Sequence, residues 1–236
     1  VSGASDFKNF YEGEFLANRF NKNKKVSLFG LVGNTPRTNF NFGDVYKYGL
    51  NNEMNMNFGE DGNEFYYFNN DAEGLPRTIK SGIYYTDRIN KKVKVLSNYS
   101  YNQNLLKASS ETRDQYFLQD TTYSMTNISN NETFNDGHSA NMDFNIDIDS
   151  LTNLVLKPKA SITNNKSTHI EESTYISEDN QTTRKTSIGN TSKSKASNFS
   201  LGANFNRKFK KKDRVLKINN DFSYNSSTNK GFLKTL

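Results

Sequence analysis

The chain contains no cysteine and no tryptophan, and only 3 prolines in 236 residues. The missing thiols exclude disulfides, thiolate metal sites and thiol redox chemistry. No run of about 18 apolar residues occurs, which excludes a transmembrane helix. The opening Val1-Ser2-Gly3-Ala4 lacks a basic stretch followed by an apolar core, so it does not read as a signal peptide. The expectation is that a signal has been removed or that the chain starts inside a longer protein. Apolar residues are also scarce, at 33%, and the mean hydropathy is −0.86.

So polar a chain resembles a disordered one in composition. Two features oppose that reading. Aromatics make up 13%, carried by 18 Phe and 13 Tyr, whereas disordered chains are aromatic-poor and usually Pro-rich. A transmembrane β-barrel reconciles these facts, because only its lipid-facing positions must be apolar. A soluble β-sandwich would bury two inner faces and need more apolar residues. The net charge of +6 sits in a few short lysine clusters.

Period-two alternation recurs along the chain. Between 138 and 149, Ala140, Met142, Phe144, Ile146 and Ile148 alternate with Asn141, Asp143, Asn145, Asp147 and Asp149. Successive side chains of a strand point to opposite faces, so this segment has one apolar and one polar face. Leu154, Leu156, Pro158, Ala160 and Ile162 continue the pattern after a turn, with Pro158 predicting a local bulge. Phe199, Leu201, Ala203 and Phe205 repeat it, as do Ile218, Phe222 and Tyr224, then Ile79, Ile83, Tyr85 and Ile89, and Val93, Val95, Tyr99 and Tyr101. The first hairpin is expected over 7–20 and 25–34.

The sum is about eight strands in four hairpins. Tight turns fall at Asn21 to Lys24, Asn90 to Lys92, Ser150 to Asn153 and Lys210 to Asp213. Long connections rich in Asn, Ser, Thr and Glu are expected near 35–77, 106–133 and 164–196. Short turns at one end and long loops at the other are the rhythm of outer-membrane barrels. The fold class is therefore all-β, an antiparallel up-and-down transmembrane β-barrel over residues 1–236. The sheet must close on itself or with other strands.

Gly74-Leu75-Pro76, Ser81 to Asp87, Lys91-Lys92 and Ser97 to Tyr101 resemble the outer-membrane β-barrel family common in Bacteroidetes. So do His138 with Phe144 to Asp147, the Asp149 to Thr152 turn, Pro158, and Arg207-Lys208-Phe209 followed by Lys210 to Arg214. The resemblance spans roughly 10–230 and rests on order and spacing. It implies the barrel portion of a TonB-dependent receptor-like protein. Full-length members usually carry an N-terminal carboxypeptidase-regulatory-like domain and a plug, and neither is found here. The chain ends Lys234-Thr235-Leu236, without the terminal aromatic common in such barrels. Part of a larger barrel is therefore the expectation, rather than a complete eight-stranded one.

Candidate chemistry is sparse. His138 and His169 are too far apart in sequence for a metal motif, and surface or lumen positions are expected. No Gly-x-Ser-x-Gly turn is present, and no phosphate-binding glycine loop. Counting a calcium loop from Asp147 puts Thr152 where Gly is needed and Pro158 where Glu is needed. A turn in which Asp and Ser bond the local backbone is expected instead. Arg207 to Arg214 is the strongest basic run, and a basic run with an aromatic inside it is one nucleic-acid signature. Here it falls on a tight turn, so contact with lipid headgroups or solvent is expected, and no nucleic acid. Phe65-Tyr66-Tyr67-Phe68 fits either sugar stacking or an interfacial aromatic girdle. Asn-x-Ser/Thr sequons such as Asn131-Glu132-Thr133 are expected by chance in so Asn-rich a chain.

No catalytic, cofactor or metal residues are assigned, and no enzyme is expected. The leading function is nutrient uptake or ligand reception across the bacterial outer membrane. Its partners would be outer-membrane lipid, TonB acting through a plug, and other outer-membrane or periplasmic subunits. Two alternatives are a scaffold barrel in a membrane complex and a soluble β-rich adhesin.

Overall fold

A computed structural model describes residues 1–35, 74–119, 121–178, 181–211 and 213–235. These residues form one all-β antiparallel sheet with up-and-down order. Its strands are β1 (Ser2–Ser5), β2 (Tyr11–Asn21), β3 (Lys24–Gly33), β4 (Leu75–Arg88), β5 (Val93–Phe117), β6 (Thr122–Asp149), β7 (Thr152–Ser177), β8 (Thr182–Lys208) and β9 (Val215–Thr235). Each strand pairs with the next in sequence. Tight connections at 22–23, 89–92, 150–151 and 209–214 lie at one end, called here the near end.

Three expectations need correction. Among the described residues there are nine strands rather than eight, because β1 pairs with the start of β2. The first long strand begins at Tyr11 and not at 7, because Asp6 holds residues 6–10 in a turn. Residues 106–133 and 164–196 are also not loops. β5 and β6 stay paired from Val93↔Ile146 out to Phe117↔Thr122. β7 and β8 stay paired out to Ile176↔Thr182. At their far ends Leu118 N–H donates to Thr121 O and Ser177 N–H to Gln181 O. A strand of 25 residues such as β5 is about 85 Å long at about 3.4 Å per residue. Crossing a bilayer takes only about 9–11, so more than half of each central strand extends past any membrane. The Phe65 to Phe68 cluster lies outside the described residues.

Pro158 also differs from expectation, since it makes no bulge. The register with β6 is the same on both sides of it, at Asn141↔Lys159 and Phe144↔Leu156. The missing N–H interrupts the ladder between those pairs, while Pro158 stays in step with Leu201 on β8. The register shifts on β7 fall elsewhere, opposite Asp147 and Asp149 and at Tyr175 and Ile176.

Packing is concentrated where β2 to β5 meet. Tyr84 is fully buried there, with Leu16, Phe29 and Leu96 against it. A Cβ on Gly82 would overlap the Phe29 ring and stand 2.6 Å from the Tyr99 carbonyl oxygen. The aromatic therefore lies directly over a bare stretch of backbone, and the sheet can bend tightly at that point.

The Asp6 turn yields a pH prediction. Its Oδ1 accepts the N–H groups of Phe10 at 2.8 Å, Lys8 at 2.9 Å and Asn9 at 2.8 Å. The Phe10 bond, followed by the others, holds the carboxyl below its ordinary range. A depressed carboxylate stabilises the folded turn above its unfolded pKa, and that contribution is lost as pH falls through the folded value. Amide protection at Lys8, Asn9 and Phe10 should therefore collapse only in acid. Asp6→Asn should remove this pH dependence. Hydrogen exchange across the carboxylate range checks it, and unchanged protection in the wild-type chain would refute the account.

Candidate membrane belt and inner wall

Residues paired across an antiparallel ladder lie on the same face of the sheet. Following the register from Leu28 gives Ile83, Tyr99, Ala140, Ala160, Phe199 and Tyr224. All seven are apolar or aromatic. Two residues nearer the turns, Pro158, Leu201 and Phe222 stand in one row, and Val26 pairs with Tyr85. Further still, Val93, Ile146, Leu154, Phe205 and Ile218 form another. The adjacent row on the opposite face reads Ser27, Tyr84, Asn98, Asn141, Lys159, Ser200 and Ser223. Asn141 Nδ2 donates to Asn98 Oδ1 at 3.1 Å, and Asn198 Nδ2 to Ser161 Oγ at 3.2 Å.

The apolar face is the open one. Leu28 is 46% exposed, Met142 42% and Phe222 54%. Among the described residues no element covers them, and the one buried cluster, around Tyr84, is on the other side. A water-soluble sheet does the reverse and packs its apolar face inward. A contiguous exposed patch of this kind marks a surface meant for an apolar environment.

The belt also drifts across the sheet. On β4 the apolar stretch is Ile79–Tyr85, and on β8 it is Phe199–Phe205. Ile83 and Phe199 share a row. Measured from that row, the centre lies about one residue toward the far end on β4 and about three toward the near end on β8, with four on β6 and two on β7, so the belt is displaced toward the near end between β4 and β6.

The inner wall carries buried oxygens with no hydrogen-bond partner among the described residues: Asn18 Oδ1, Ser27 Oγ, Asn102 Oδ1 and Asn127 Oδ1. All four lie on the polar parity. Buried polar groups are normally satisfied by protein or ordered water, so this wall is suited to water and not to hydrocarbon.

The other candidates fall at scattered positions. His138 is on the apolar face, with Nδ1 2.8 Å from the Tyr99 hydroxyl and its ring 4.9 Å from that of Tyr101. This aromatic cluster lies at the far edge of the belt, where girdles occur. Only the register reveals it. His169 is on the opposite parity, with Nδ1 2.6 Å from Asn131 Oδ1, so the two histidines are not brought together. No metal-binding group of three or more side chains occurs among the described residues. At the Asp147–Ser150 segment, Asp149 Oδ1 accepts the Leu151 N–H at 2.8 Å and Oδ2 accepts the Thr152 hydroxyl at 3.0 Å. That is local turn bonding, with Asp rather than Ser150 as the acceptor. The basic run lies on the connection between β8 and β9.

No family model matches the chain, and no curated protein does. Among solved structures, a CymD monoaromatic hydrocarbon channel is similar at 7% identity, with a TM-score of 0.19. The match covers 99% of this chain and 84% of that one. So low a score sets no residue correspondence, and any functional reading rests on the two faces of the sheet itself.

Proposed function

We propose that the chain is a membrane-spanning arc of an outer-membrane β-barrel that carries or receives a solute. The belt contacts lipid, the polar face lines a hydrated passage, and the long hairpins stand outside the bilayer. The observation that carries this reading is the apolar belt left open on one face of the sheet. Each large apolar side chain moved from water to hydrocarbon contributes up to about 1.5–3 kcal/mol. In this reading the chain performs no covalent chemistry and binds no nucleic acid.

The finer assignment is to a TonB-dependent receptor-like barrel of the Bacteroidetes type, with energy supplied through a plug and TonB. It rests on the sequence resemblance alone. A scaffold role is the second reading. It is favoured by the far halves of β5 to β8, which are largely polar on both faces and offer a continuously paired surface to other subunits.

Removal of detergent tests the membrane reading. The purified chain should be monodisperse in detergent or lipid and associate without them. A monodisperse, folded chain in plain buffer would overturn the proposal. Solute uptake by cells expressing the full gene, against stoichiometric co-purification of partners, separates transport from scaffold.

A further inference from the structure

Three of the four near-end connections are rich in cations, at Lys22 to Lys25, Lys91 to Lys94 and Arg207 to Arg214. In the first two, lysines already have partners in the protein. Lys24 Nζ stands 5.2 Å from the Tyr85 ring and Lys25 Nζ 5.3 Å from the Phe20 ring. Lys92 Nζ donates to the Ile148 carbonyl at 2.9 Å. The β8–β9 connection differs. Among the described residues no ion pair reaches Lys208, Lys210, Lys211 or Arg214. They line an open hollow of about 810 Å³. The same hollow is lined by Leu151, Phe209 and Leu216, all of them exposed.

The position of the hollow matters as much as its composition. Phe205 ends the apolar stretch on β8, and Lys208 ends the strand itself. Three residues separate them, about 10 Å along the strand. The headgroup layer outside the hydrocarbon is about 5–8 Å thick on each side. On a strand tilted by roughly 40°, about 10 Å of length is about 8 Å of depth, so Lys208 falls at the outer edge of the headgroup layer. Leu216, paired with Arg207, and Leu151, whose carbonyl oxygen accepts the Lys208 N–H, fall within that layer.

We infer that the β8–β9 turn is a binding site for anionic glycerophospholipid. The phosphodiester would lie among Lys208, Lys210, Lys211 and Arg214, and the glycerol backbone against Leu151 and Leu216. The inference rests on the membrane reading above. Charge complementarity selects the occupant, because Lys208, Lys210, Lys211 and Arg214 outnumber Asp213, the one acid among the described residues lining the hollow, and meet the anionic group present at that depth. The exposed apolar side chains in the same hollow fit a lipid and not a nucleic acid, which offers no hydrocarbon.

The test uses the whole chain in bilayers containing spin-labelled phosphatidylglycerol or spin-labelled phosphatidylcholine. The motionally restricted fraction of each gives their relative association with the protein. A several-fold preference for phosphatidylglycerol is expected, since a cation near a membrane surface strengthens such binding by roughly fivefold at low salt. The preference should fall to parity at high salt, where the screening length shrinks to about 3 Å. It should also fall to parity in a Lys210→Gln, Lys211→Gln, Arg214→Gln variant. These residues lie outside the belt, and the fold of the variant is checked by its amide protection.

Equal restriction of the two lipids in the wild-type chain overturns the inference while leaving the membrane reading standing. A variant that keeps the preference overturns it as well, because the site is then elsewhere. Binding to a short DNA duplex without any lipid preference does the same. No restricted lipid of either kind overturns both the inference and the membrane reading.

Discussion

Leu201→Arg is expected to destabilise the lipid-embedded chain by about 2–4 kcal/mol, the cost of an arginine on the lipid face near the bilayer midplane. Ser200→Arg, one residue away, is expected to change stability by less than about 0.5 kcal/mol, as surface substitutions normally do. The two positions are both half-buried and lie on the same strand, β8. They differ in face. Leu201 stands in a row with Pro158 and Phe222, and Ser200 in a row with Lys159 and Ser223. Strand propensity, backbone effects and local exposure are thus nearly matched, and the difference between the variants isolates the medium that each face meets. A soluble sheet predicts another order. There an arginine replacing a half-buried leucine on the water-facing side can extend its charged end into solvent and costs little. Urea midpoints of both variants in lipid decide the matter, and equal midpoints would refute the belt.

Much of this belt is legible in the sequence. Met142, Phe144 and Ile146 against Asn141, Asp143 and Asn145 show two faces without any structure. Such alternation arises only where one face meets an apolar phase. Past the belt, Asn127-Ile128-Ser129-Asn130 meets water on both sides, so nothing selects a period. The backbone ladder that holds it, Asn127↔Ser173 to Asn130↔Ile170, leaves no trace in side-chain polarity. Asn-rich strands then look like loops. A weaker signal exists in the β-branched residues of that region, such as Thr168, Ile170, Thr174 and Ile176. β1 escapes a sequence reading for another reason, as four residues are too few to show a period. The alignment of the belt from strand to strand and the cluster of His138 with Tyr99 and Tyr101 depend on register between strands. Turn geometry sets that register, and single-strand patterns do not contain it.

Single prolines at Asn219, Asn220, Asp221 and Phe222 are each expected to cost several kcal/mol in lipid. All four lie on β9, whose paired neighbour among the described residues is β8. In an antiparallel strand the N–H groups of successive residues point alternately to the two sides. If β9 has a neighbour on one side only, prolines at alternate positions delete a bond that does not exist. Their costs should then rise and fall with period two. Inside a membrane the second side cannot stay open, because an unsatisfied backbone group in hydrocarbon costs several kcal/mol. The sheet must then close on its first strands or continue into others, and every N–H of β9 is bonded. The strain of proline's fixed φ is common to all four variants, so it raises the whole series without producing an alternation. A flat series of unfolding free energies therefore places β9 inside a continuous sheet. An alternating series makes it a true edge, and a true edge of 21 residues is incompatible with a strand that crosses the bilayer.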